Sequence, residues 1–441
     1  MSTKALKAVA QYIHLPSHAR LPDFPFFPTL QVNMEQQQVR TRQLLPSVMM
    51  RCGTSKGLFL HRRDLPQDRS LWSNVLLSAM GSRDGDSRQL DGVGGATSTT
   101  SKVAIVSKSS RPGIDVDYTF AQVGVGSSKV DFSGNCGNIC SGVGPFALDE
   151  GLVEPSYGQT EMDVRIFNTN TSREIVETIK IGPDGKFCEF GDYRIGGVKG
   201  TASEIEVAFV NPAGSMTGKL LPTGLPQETL HASSTPGMEP FTVNVSMVDA
   251  ANPFVFVDAA TMPKIWQSLD RNDPMALEIV EIVRRIAAVR MGLAKDEASA
   301  SQVRGTPKVA VLSQAESRSH DETTPDIHVT SYSMGKMHPS FQLTGAVCLS
   351  AAISTPGTVA SDIAGRQDYP TPPGTPDEGL EGVASIKIGG LEKQVVIEHA
   401  SGVISARVKT REDGVEGLEV ESVTVSRTAR RLFEGNVLIN I

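Results

Sequence analysis

Cys136 stands where a thiol could transfer a proton. It lies in the Gly/Asn turn of 132-FSGNCGNICSGVG-144, between a strand-like run and a run of small residues that predicts a helix. If that helix begins near Gly137, the thiol lies in the positive field of the helix N-terminus, which favours the thiolate. Backbone N–H groups of residues 134–138 could also form a nest that binds an anion. A small buried side chain at a turn is the alternative, and the local sequence favours neither.

Lys102 is a second residue that could carry acid–base chemistry. It follows the loop 94-GGATSTTS-101 and opens the apolar run 103–106, which predicts a buried strand. A lysine withdrawn from water gives up its proton more readily and can then act as a base near neutral pH. Taken by itself, the local sequence favours a solvated lysine at a strand end.

The turn 51-RCGTSKG-57 is a candidate for carboxylate binding. Arg51, Ser55 and the free backbone N–H groups of a Gly/Ser turn are suitable donors for a carboxylate, while a plain hairpin turn is the alternative.

Nucleotide sites are not predicted. The segment 214–220 is too short for a phosphate-binding loop, and residues 142–147 lack the βαβ context of a dinucleotide fold.

The cysteines indicate a reducing, intracellular setting. Their number is odd and their spacing loose, which fits neither a disulfide framework nor a zinc site. The five are Cys52, Cys136, Cys140, Cys188 and Cys348. Cys136 and Cys140 could share a helix face, and two small core thiols are a better interpretation of that spacing than a metal site.

Composition restricts the partners that the chain could bind. It has 441 residues, a net charge of -7 and scattered Lys and Arg. This argues against nucleic acid, because phosphate neutralisation needs clustered cations. No apolar run approaches the roughly 18 residues that a membrane span needs. The 41 Gly and 26 Pro residues, with 5% aromatics, predict many turns and short strands.

Two segments are predicted to be mobile. Residues 1–45 read as a flexible N-terminal extension, and the Pro/Gly/acid-rich residues 366–382 as a surface loop. The first 22 residues contain basic residues and no acid, as mitochondrial transit peptides do, but the prolines that begin at Pro16 would break an amphipathic helix. We therefore expect a cytoplasmic protein, with a mitochondrial address as the alternative.

Strand patterns predict two lobes of similar build. In each, a strand enters a polar Gly turn and then a small-residue helix, near 139–151 in the first lobe and 341–354 in the second. This repeat predicts an α+β fold in which each lobe wraps a curled sheet around a central helix. The expected bounds are 46–222 with a returning strand 426–441 for the N-terminal lobe, and 223–425 for the C-terminal lobe.

Three stretches together resemble one protein family. The sequences MRCGTSKGLFL, DGVGGATSTTSKVAIVS and DFSGNCGN, in this order and at this spacing, are similar to those of the PrpF family. The resemblance covers about residues 46–441 and extends to 217-TGKLLPTG-224, 290-RMGL-293, 306-TPK-308, 333-SMGKMH-338 and 399-HASGV-403. Members include 2-methylaconitate cis-trans isomerase, 3-methylitaconate Δ-isomerase, aconitate Δ-isomerase and 4-oxalomesaconate tautomerase.

The resemblance implies a fold and a site. The fold is diaminopimelate epimerase-like, with two pseudo-symmetric lobes and an active site in the cleft between them, and its isomerases use neither pyridoxal phosphate nor a metal. The family's catalytic lysine falls on Lys102 and its catalytic cysteine on Cys136. With the donors named above and the further matching stretches, the expected substrate-binding residues are Arg51, Ser55, Gly94, Gly95, Ser98, Asn135, Gly137, Asn138, Lys336, Met337, Ser401 and Gly402.

The predicted activity is a 1,3-proton shift, without a cofactor, in an unsaturated tricarboxylic acid such as aconitate or 2-methylaconitate. The alternatives are an isomerase or tautomerase of another unsaturated dicarboxylate in specialised metabolism, and a carboxylate-binding protein without catalysis on the same fold. Epimerisation by two cysteines is disfavoured, because residues 335–345 place no cysteine at the second helix entrance. The expected partner is a small acid, and a homodimer is left open.

The chain departs from the family at Cys52, at Leu225, where members often have Asn, and at the segment 338–345. Cys52 replaces a glycine, and since cysteine would be costly at a positive φ, we expect an ordinary backbone there. The segment 338–345 differs at the second helix entrance, which leaves the choice of substrate in question.

Overall fold

The computed structural model describes residues 41–233, 238–315, 324–365, 391–413 and 417–440. The predicted loop 366–382 and nearly all of the predicted extension 1–45 lie outside these ranges. Within them, no helix combines the length and the apolar character that crossing a membrane requires.

Strands dominate the described residues and join into one hydrogen-bonded network. The first nine are β1 (Arg42–Cys52), β2 (Ser55–His61), β3 (Lys102–Lys108), β4 (Val116–Val123), β5 (Val130–Asp131), β6 (Glu161–Asn168), β7 (Arg173–Lys180), β8 (Ile205–Val210) and β9 (Glu228–Ala232). The next nine are β10 (Phe241–Ala250), β11 (Asn252–Asp258), β12 (Lys308–Ser313), β13 (Ile327–Ser333), β14 (Lys336–Met337), β15 (Leu391–His399), β16 (Gly402–Asp413), β17 (Gly417–Arg427) and β18 (Ala429–Asn440).

Helices are fewer and mostly short in the same ranges. They are α1 (Trp72–Met80), α2 (Gly137–Cys140), α3 (Val143–Asp149), α4 (Lys264–Ser268), α5 (Pro274–Arg290), α6 (Glu297–Gln302), α7 (Leu343–Ile353) and α8 (Val359–Gly365). Short 3-10 turns cover Arg62–Asp64, Arg69–Leu71 and Ala259–Thr261.

The same order of strand pairing occurs twice along the chain. In the first repeat, β1–β8, strand β3 pairs in parallel with β2 and antiparallel with β4, and β4 pairs in parallel with β6. In the second repeat, β10–β17, strand β12 pairs in parallel with β11 and antiparallel with β13, and β13 pairs in parallel with β15. Strands β8 and β17 join the two repeats. The predicted α+β fold with two similar lobes is therefore confirmed.

Strand β18 returns to the first repeat. It pairs antiparallel with β1 along the full length of that strand. This pairing satisfies the backbone donors and acceptors of β1, so the sheet begins at Arg42, slightly before the position expected from the sequence.

Each repeat encloses a helix of small and apolar residues. Every residue of α7 is buried in the second repeat. In the first, the single helix predicted near 139–151 is instead two helices, α2 and α3, because Pro145 has no N–H to donate to the Ser141 carbonyl. A Cβ on Gly142 would lie 2.3 Å from the Cys52 sulfur, so the start of α3 packs directly against strand β1. Cys52 itself has no left-handed backbone, as expected.

Candidate active site

A cleft lies where the two repeats meet, and residues of both repeats line it. The first repeat contributes Ser55, Ser98, Lys102, Phe120, Gln122, Asp131 and residues 134–138 to its lining. The rest of the lining is Gly305, Lys308, Ser333, Met334, His338, Gln342, Leu343 and Thr344. The starts of β3 and β12 and the N-termini of α2 and α7 supply much of this lining. Backbone N–H groups at these helix N-termini therefore lie at the cleft.

Lys102, the first residue of β3, is only 9% exposed and lines this cleft. Its Nζ donates to Gln122 Oε1 at 2.6 Å and lies 5.2 Å from the centre of the Phe120 ring. Gln122 is oriented by its own amide nitrogen, which donates to the Ser101 carbonyl at 2.8 Å. Lys102 is therefore not a solvated residue at a strand end, because a fixed amide oxygen holds its amine beside the cleft.

Cys136 is the N-cap residue of α2, and its half-buried side chain lines the cleft. Its carbonyl accepts the Cys140 N–H at 2.8 Å, which begins the helix. Cys52, Cys140 and Cys348 are fully buried, and burial raises the pKa of each thiol well above its usual range. Those three cysteines are packing residues, whereas Cys136 can be reached from the cleft.

The turn that leads into α2 is held by side chains from distant parts of the chain. Asn138 Nδ2 donates to Thr54 Oγ1 at 3.0 Å, and Asn138 Oδ1 accepts from Nε of Arg427 at 3.0 Å. Arg427 is buried and has no ion pair within the described ranges, and burial lowers its pKa to about 10. A Cβ on Gly137 would lie 2.5 Å from Leu343 Cδ2, so this glycine lets the first turns of α2 and α7 touch.

Half of the site residues expected from the sequence line the cleft. They are Lys102, Cys136, Ser55, Ser98, Asn135, Gly137 and Asn138. Arg51 does not, because it faces a different pocket and its guanidinium donates to the Thr428 carbonyl at 2.9 Å.

Gly94 and Gly95 also lie outside the lining and form part of a packed loop. The Gly95 N–H donates to the Thr100 carbonyl at 3.2 Å. A Cβ on Gly94 would lie 2.3 Å from Gln89 Oε1. These glycines therefore allow close approach of neighbouring protein groups, and not of a ligand in this cleft.

The remaining expected residues, Lys336, Met337, Ser401 and Gly402, are likewise outside the lining. Lys336 and Met337 form strand β14 and border an adjoining groove. Ser401 donates its hydroxyl to the Pro339 carbonyl, and Gly402 begins β16. The matching stretch 333–338 reaches the cleft through other members, Ser333, Met334 and His338.

Lys308 is the most important cleft residue that sequence reasoning missed. It is the first residue of β12, and its Nζ lies 5.7 Å from the centre of the Phe254 ring. Burial, assisted by the nearby charge of Lys102, lowers the pKa of Lys308 to about 8. The matching stretch 306-TPK-308 is the signal that could have found it, but no local feature separates this lysine from one on the surface.

His338 is a second missed residue of the lining. It is buried, and burial lowers its pKa to about 4, so the ring is neutral at neutral pH. Its Nδ1 lies 2.6 Å from the Ser340 carbonyl oxygen. The Ser340 N–H also lies 3.2 Å from Nδ1, so the backbone of residue 340 packs onto this side of the ring.

The cleft is suited to an anion with more than one carboxylate. Lys102 and Lys308 are its amines, and Asp131 is the acid in its described lining. The first turn of α7 presents N–H groups that have no intrahelical acceptor, and its N-cap residue Gln342 makes no capping bond. Gln342 Nε2 is a buried donor without a partner in the described part of the chain. No group of three or more His, Cys, Asp or Glu residues there is arranged to hold a metal ion.

Known proteins resemble the chain in sequence and in structure. The PrpF protein family model matches residues 42–371. The 3-methylitaconate isomerase of Eubacterium barkeri is 36% identical over 407 residues, which span 90% of this chain and 97% of the relative. The 2-methyl-aconitate isomerase of Shewanella oneidensis is 34% identical over 410 residues, which span 88% and 95%. The crystal structure of a methylitaconate-delta-isomerase superposes with a TM-score of 0.64 at 35% identity, over 91% of this chain and 96% of its own.

Proposed function

The chain belongs to the PrpF family, and we propose from that premise that it is an isomerase that moves a proton within a small unsaturated carboxylic acid. The two relatives above are isomerases of 3-methylitaconate and 2-methyl-aconitate, and each is matched over nearly its whole length. The observation that carries the proposal is that Lys102 and Cys136 line one cleft between the repeats.

The substrate in this proposal is an unsaturated tricarboxylate such as aconitate or 2-methylaconitate. Two amines, Lys102 and Lys308, and the free N–H groups at the start of α7 supply donors for several carboxylates. An unsaturated dicarboxylate, and a protein that binds such acids without turning them over, are the alternatives. A buried amine and an accessible thiol in one cleft favour the enzyme over the binding protein.

Lys102 removes the proton from a carbon next to the double bond. The electron pair left behind delocalises through the double bond towards a carboxylate. The newly protonated Lys102 or the Cys136 thiol then delivers a proton to the carbon two bonds away. The hydrogen bond from Lys102 to Gln122 holds the amine in position for this transfer. General acid–base catalysis of this kind contributes about 10²- to 10⁴-fold to a rate.

Cys136 and the hydrogen-bond donors around it lie where negative charge develops on the substrate during the proton shift. The thiol either exchanges a proton with the substrate or holds the reacting carbon from its side. The N–H groups of Gly137 and Asn138 lie in the first turn of α2, where they have no intrahelical acceptor. With Ser55 and Ser98, they hydrogen-bond carboxylate oxygens and stabilise the intermediate.

A proton-exchange assay in D₂O against a panel of unsaturated tri- and dicarboxylates tests this function and identifies the substrate. We expect deuterium in the product of at least one acid, and loss of turnover in Lys102→Ala. A folded Lys102→Ala protein with full activity would overturn the role of that lysine. A wild-type protein that binds these acids without exchange or isomerisation would be a binding protein. Deuterium-free product would oppose the mechanism once direct internal transfer had been excluded.

A further inference from the structure

A second pocket lies next to the cleft and shares none of its lining residues. Asn138, which lines the cleft, donates from Nδ2 to Thr54 Oγ1 at 3.0 Å, and Thr54 lines the second pocket. Thr54 Oγ1 also lies 3.3 Å from the hydroxyl oxygen of Ser340, another residue of that lining. These contacts form a partition between the two spaces.

The lining of this second pocket is cationic. In the described part of the chain it contains Arg194, His399, Arg427 and several hydroxyl groups, and it contains no Asp or Glu. The cleft, by comparison, includes the carboxylate of Asp131. We call the second space the Arg427 pocket, after its buried guanidinium.

Arg427 has a donor left over for a ligand. The residue is only 6% exposed, its Nε donates to Asn138 Oδ1 at 3.0 Å, and its Nη1 donates to the Ser426 carbonyl at 2.8 Å. Nη2 forms no hydrogen bond, and the guanidinium no ion pair, with any residue that the structure describes. A buried charge without a counter-charge is costly. A bound anion would therefore compensate a charge that the described residues leave unpaired.

His399 supplies a second buried donor. It is 7% exposed, and its Nδ1 accepts the Ser401 N–H at 3.1 Å. The neutral ring therefore carries its proton on Nε2, which has no hydrogen-bond partner among the described residues. Burial, together with the charge of Arg427, lowers the pKa of His399 to about 4, so the ring is neutral at neutral pH. The influence of Arg427 also shows that the two side chains lie near each other.

The stretch 399–403, which was expected to bind substrate, contributes to this pocket instead. His399 and Val403 line the Arg427 pocket, and no residue of 399–403 lines the cleft. A loop of the first repeat lies close above it, since a Cβ on Gly196 would be 3.0 Å from the Ser401 carbonyl oxygen. Segments that are distant along the chain thus converge on one set of donors.

We propose that the Arg427 pocket is a second binding site, which takes a small oxyanion such as phosphate or a short carboxylate. Nη2 of Arg427 and Nε2–H of His399 are its buried donors, and Arg194 is an exposed cation of the same lining. Guanidinium groups bind phosphate and carboxylate oxygens alike. The site needs no turnover in the cleft and goes beyond the proposed function. Because Arg427 also holds Asn138, the anion would lie two side chains from the cleft.

Calorimetric titration of the full chain with inorganic phosphate, and separately with succinate, tests the site. The cleft amines could also bind these anions, so the titrations are repeated in the double variant Lys102→Met with Lys308→Met, which removes both. We expect the double variant to bind one anion per chain. Its unfolding temperature should rise with the concentration of that anion, because the ligand binds the folded state. The anion with the lower Kd identifies phosphate or a carboxylate as the preferred ligand.

Variants of the pocket are made in both the wild-type and the double-variant background. Arg427→Met should weaken binding about 30-fold or more, because the bound charge loses its buried partner. His399→Phe keeps a ring but removes the Nε2–H donor, and it should weaken binding about tenfold through the loss of one charge-assisted hydrogen bond. Arg165→Met, which removes an exposed guanidinium paired with Glu174, is the control and should leave the Kd unchanged.

Three results would overturn the inference. One is a wild type that binds neither anion. Another is a folded double variant that binds neither, which would place the anions in the cleft. The third is a folded Arg427→Met protein that keeps the Kd of its background. Since Arg427→Met also loses the bond to Asn138, its thermal unfolding is measured first. If it is unfolded, His399→Phe decides, and an unchanged Kd there refutes the site.

The two proposals can fail separately. A wild type that isomerises none of the unsaturated acids refutes the proposed function and leaves the anion titrations valid. An active isomerase that binds neither phosphate nor succinate outside the cleft refutes the Arg427 pocket as a site and leaves the proposed function intact.

Discussion

The side chain of Asn252 holds the backbone of Asn135 at both its N–H and its carbonyl. Asn252 Oδ1 accepts the Asn135 N–H at 3.1 Å, and Asn252 Nδ2 donates to the Asn135 carbonyl at 2.7 Å. Asn252 is fully buried and begins β11 of the second repeat, whereas Asn135 directly precedes Cys136 in the first. One amide of the second repeat therefore positions the thiol that the first repeat brings to the cleft.

Asn252→Ala should lower kcat by about tenfold to a hundredfold, with a smaller change in KM. The reason is that the reaction slows when a reacting group, here Cys136, is displaced. It should also lower the free energy of unfolding by about 1–3 kcal/mol, since two buried peptide groups lose their partners. Steady-state kinetics and thermal unfolding measure the two effects. Asn244→Ala, which removes an amide bonded to exposed Thr229, is the control and should leave kcat unchanged. An unchanged kcat in Asn252→Ala would contradict the positioning role.

Gly137→Ala should impair activity by separating the first turns of α2 and α7. The added Cβ would lie 2.5 Å from Leu343 Cδ2 and 3.0 Å from Leu343 Cβ. Leu343 is 1% exposed and has little room to move, so we expect a loss of about 1–3 kcal/mol in the free energy of unfolding. Turnover should fall with it, as measured by the isomerisation assay.

The same clash can be relieved to check its cause. The double variant Gly137→Ala with Leu343→Ala removes the opposing side chain and should regain part of the activity lost in Gly137→Ala. Gly365→Ala is the matched control, because a Cβ there meets open space, and it should be neutral in both assays. Failure of the double variant to exceed Gly137→Ala would rule out the contact with Leu343 as the cause.

Two different replacements of Gln122 should shift the pH dependence of turnover in opposite directions. Gln122→Glu puts a carboxylate next to the Lys102 amine and stabilises the ammonium form, so half-maximal kcat should move to higher pH. Gln122→Met removes the oxygen that accepts a hydrogen bond from Lys102 Nζ at 2.6 Å. The pH of half-maximal kcat should therefore move to a lower value. Profiles of kcat against pH measure both shifts. General damage to the site cannot produce opposite shifts, so movement in one direction only would contradict a proton-transfer role for Lys102.

Glu177→Gln should stabilise the protein more as the pH rises. Glu177 is fully buried on β7, its Oε2 accepts the Gly144 N–H at 2.7 Å, and burial raises its pKa from 4.5 to about 8. Between these values the folded state holds a proton that the unfolded chain has released. The stability that this group contributes is therefore fully present below about pH 4.5 and is lost as the pH rises towards about pH 8.

Glu177→Gln removes that titration while its amide oxygen can still accept from Gly144. Its advantage over wild type in urea unfolding should grow from pH 5 to about pH 8 and then level off. Glu154→Gln, an exposed glutamate, is the control for the loss of one carboxylate. An advantage that does not change with pH would show that Glu177 is ionised in the folded protein.

Local patterns were sufficient for the strand–turn–helix units at the cleft and for its two candidate residues. Lys102 does begin a buried strand and Cys136 does directly precede a helix, because the ends of strands and helices depend on near neighbours. Composition was less informative for Gly94 and Gly95. A glycine allows close approach of any group, and here Gln89 and Thr100 occupy the space that a ligand was expected to fill.

The sequence by itself determined the repeated elements and the order of the motifs, since hydrophobic spacing and turn residues act over a few positions. Only the tertiary structure decided which side chains share the cleft. Lys102 and Lys308 line the same cleft although about 200 residues separate them along the chain, because the two repeats pack together there. Contacts such as that between Asn252 and Asn135 depend on this packing, which no local pattern encodes.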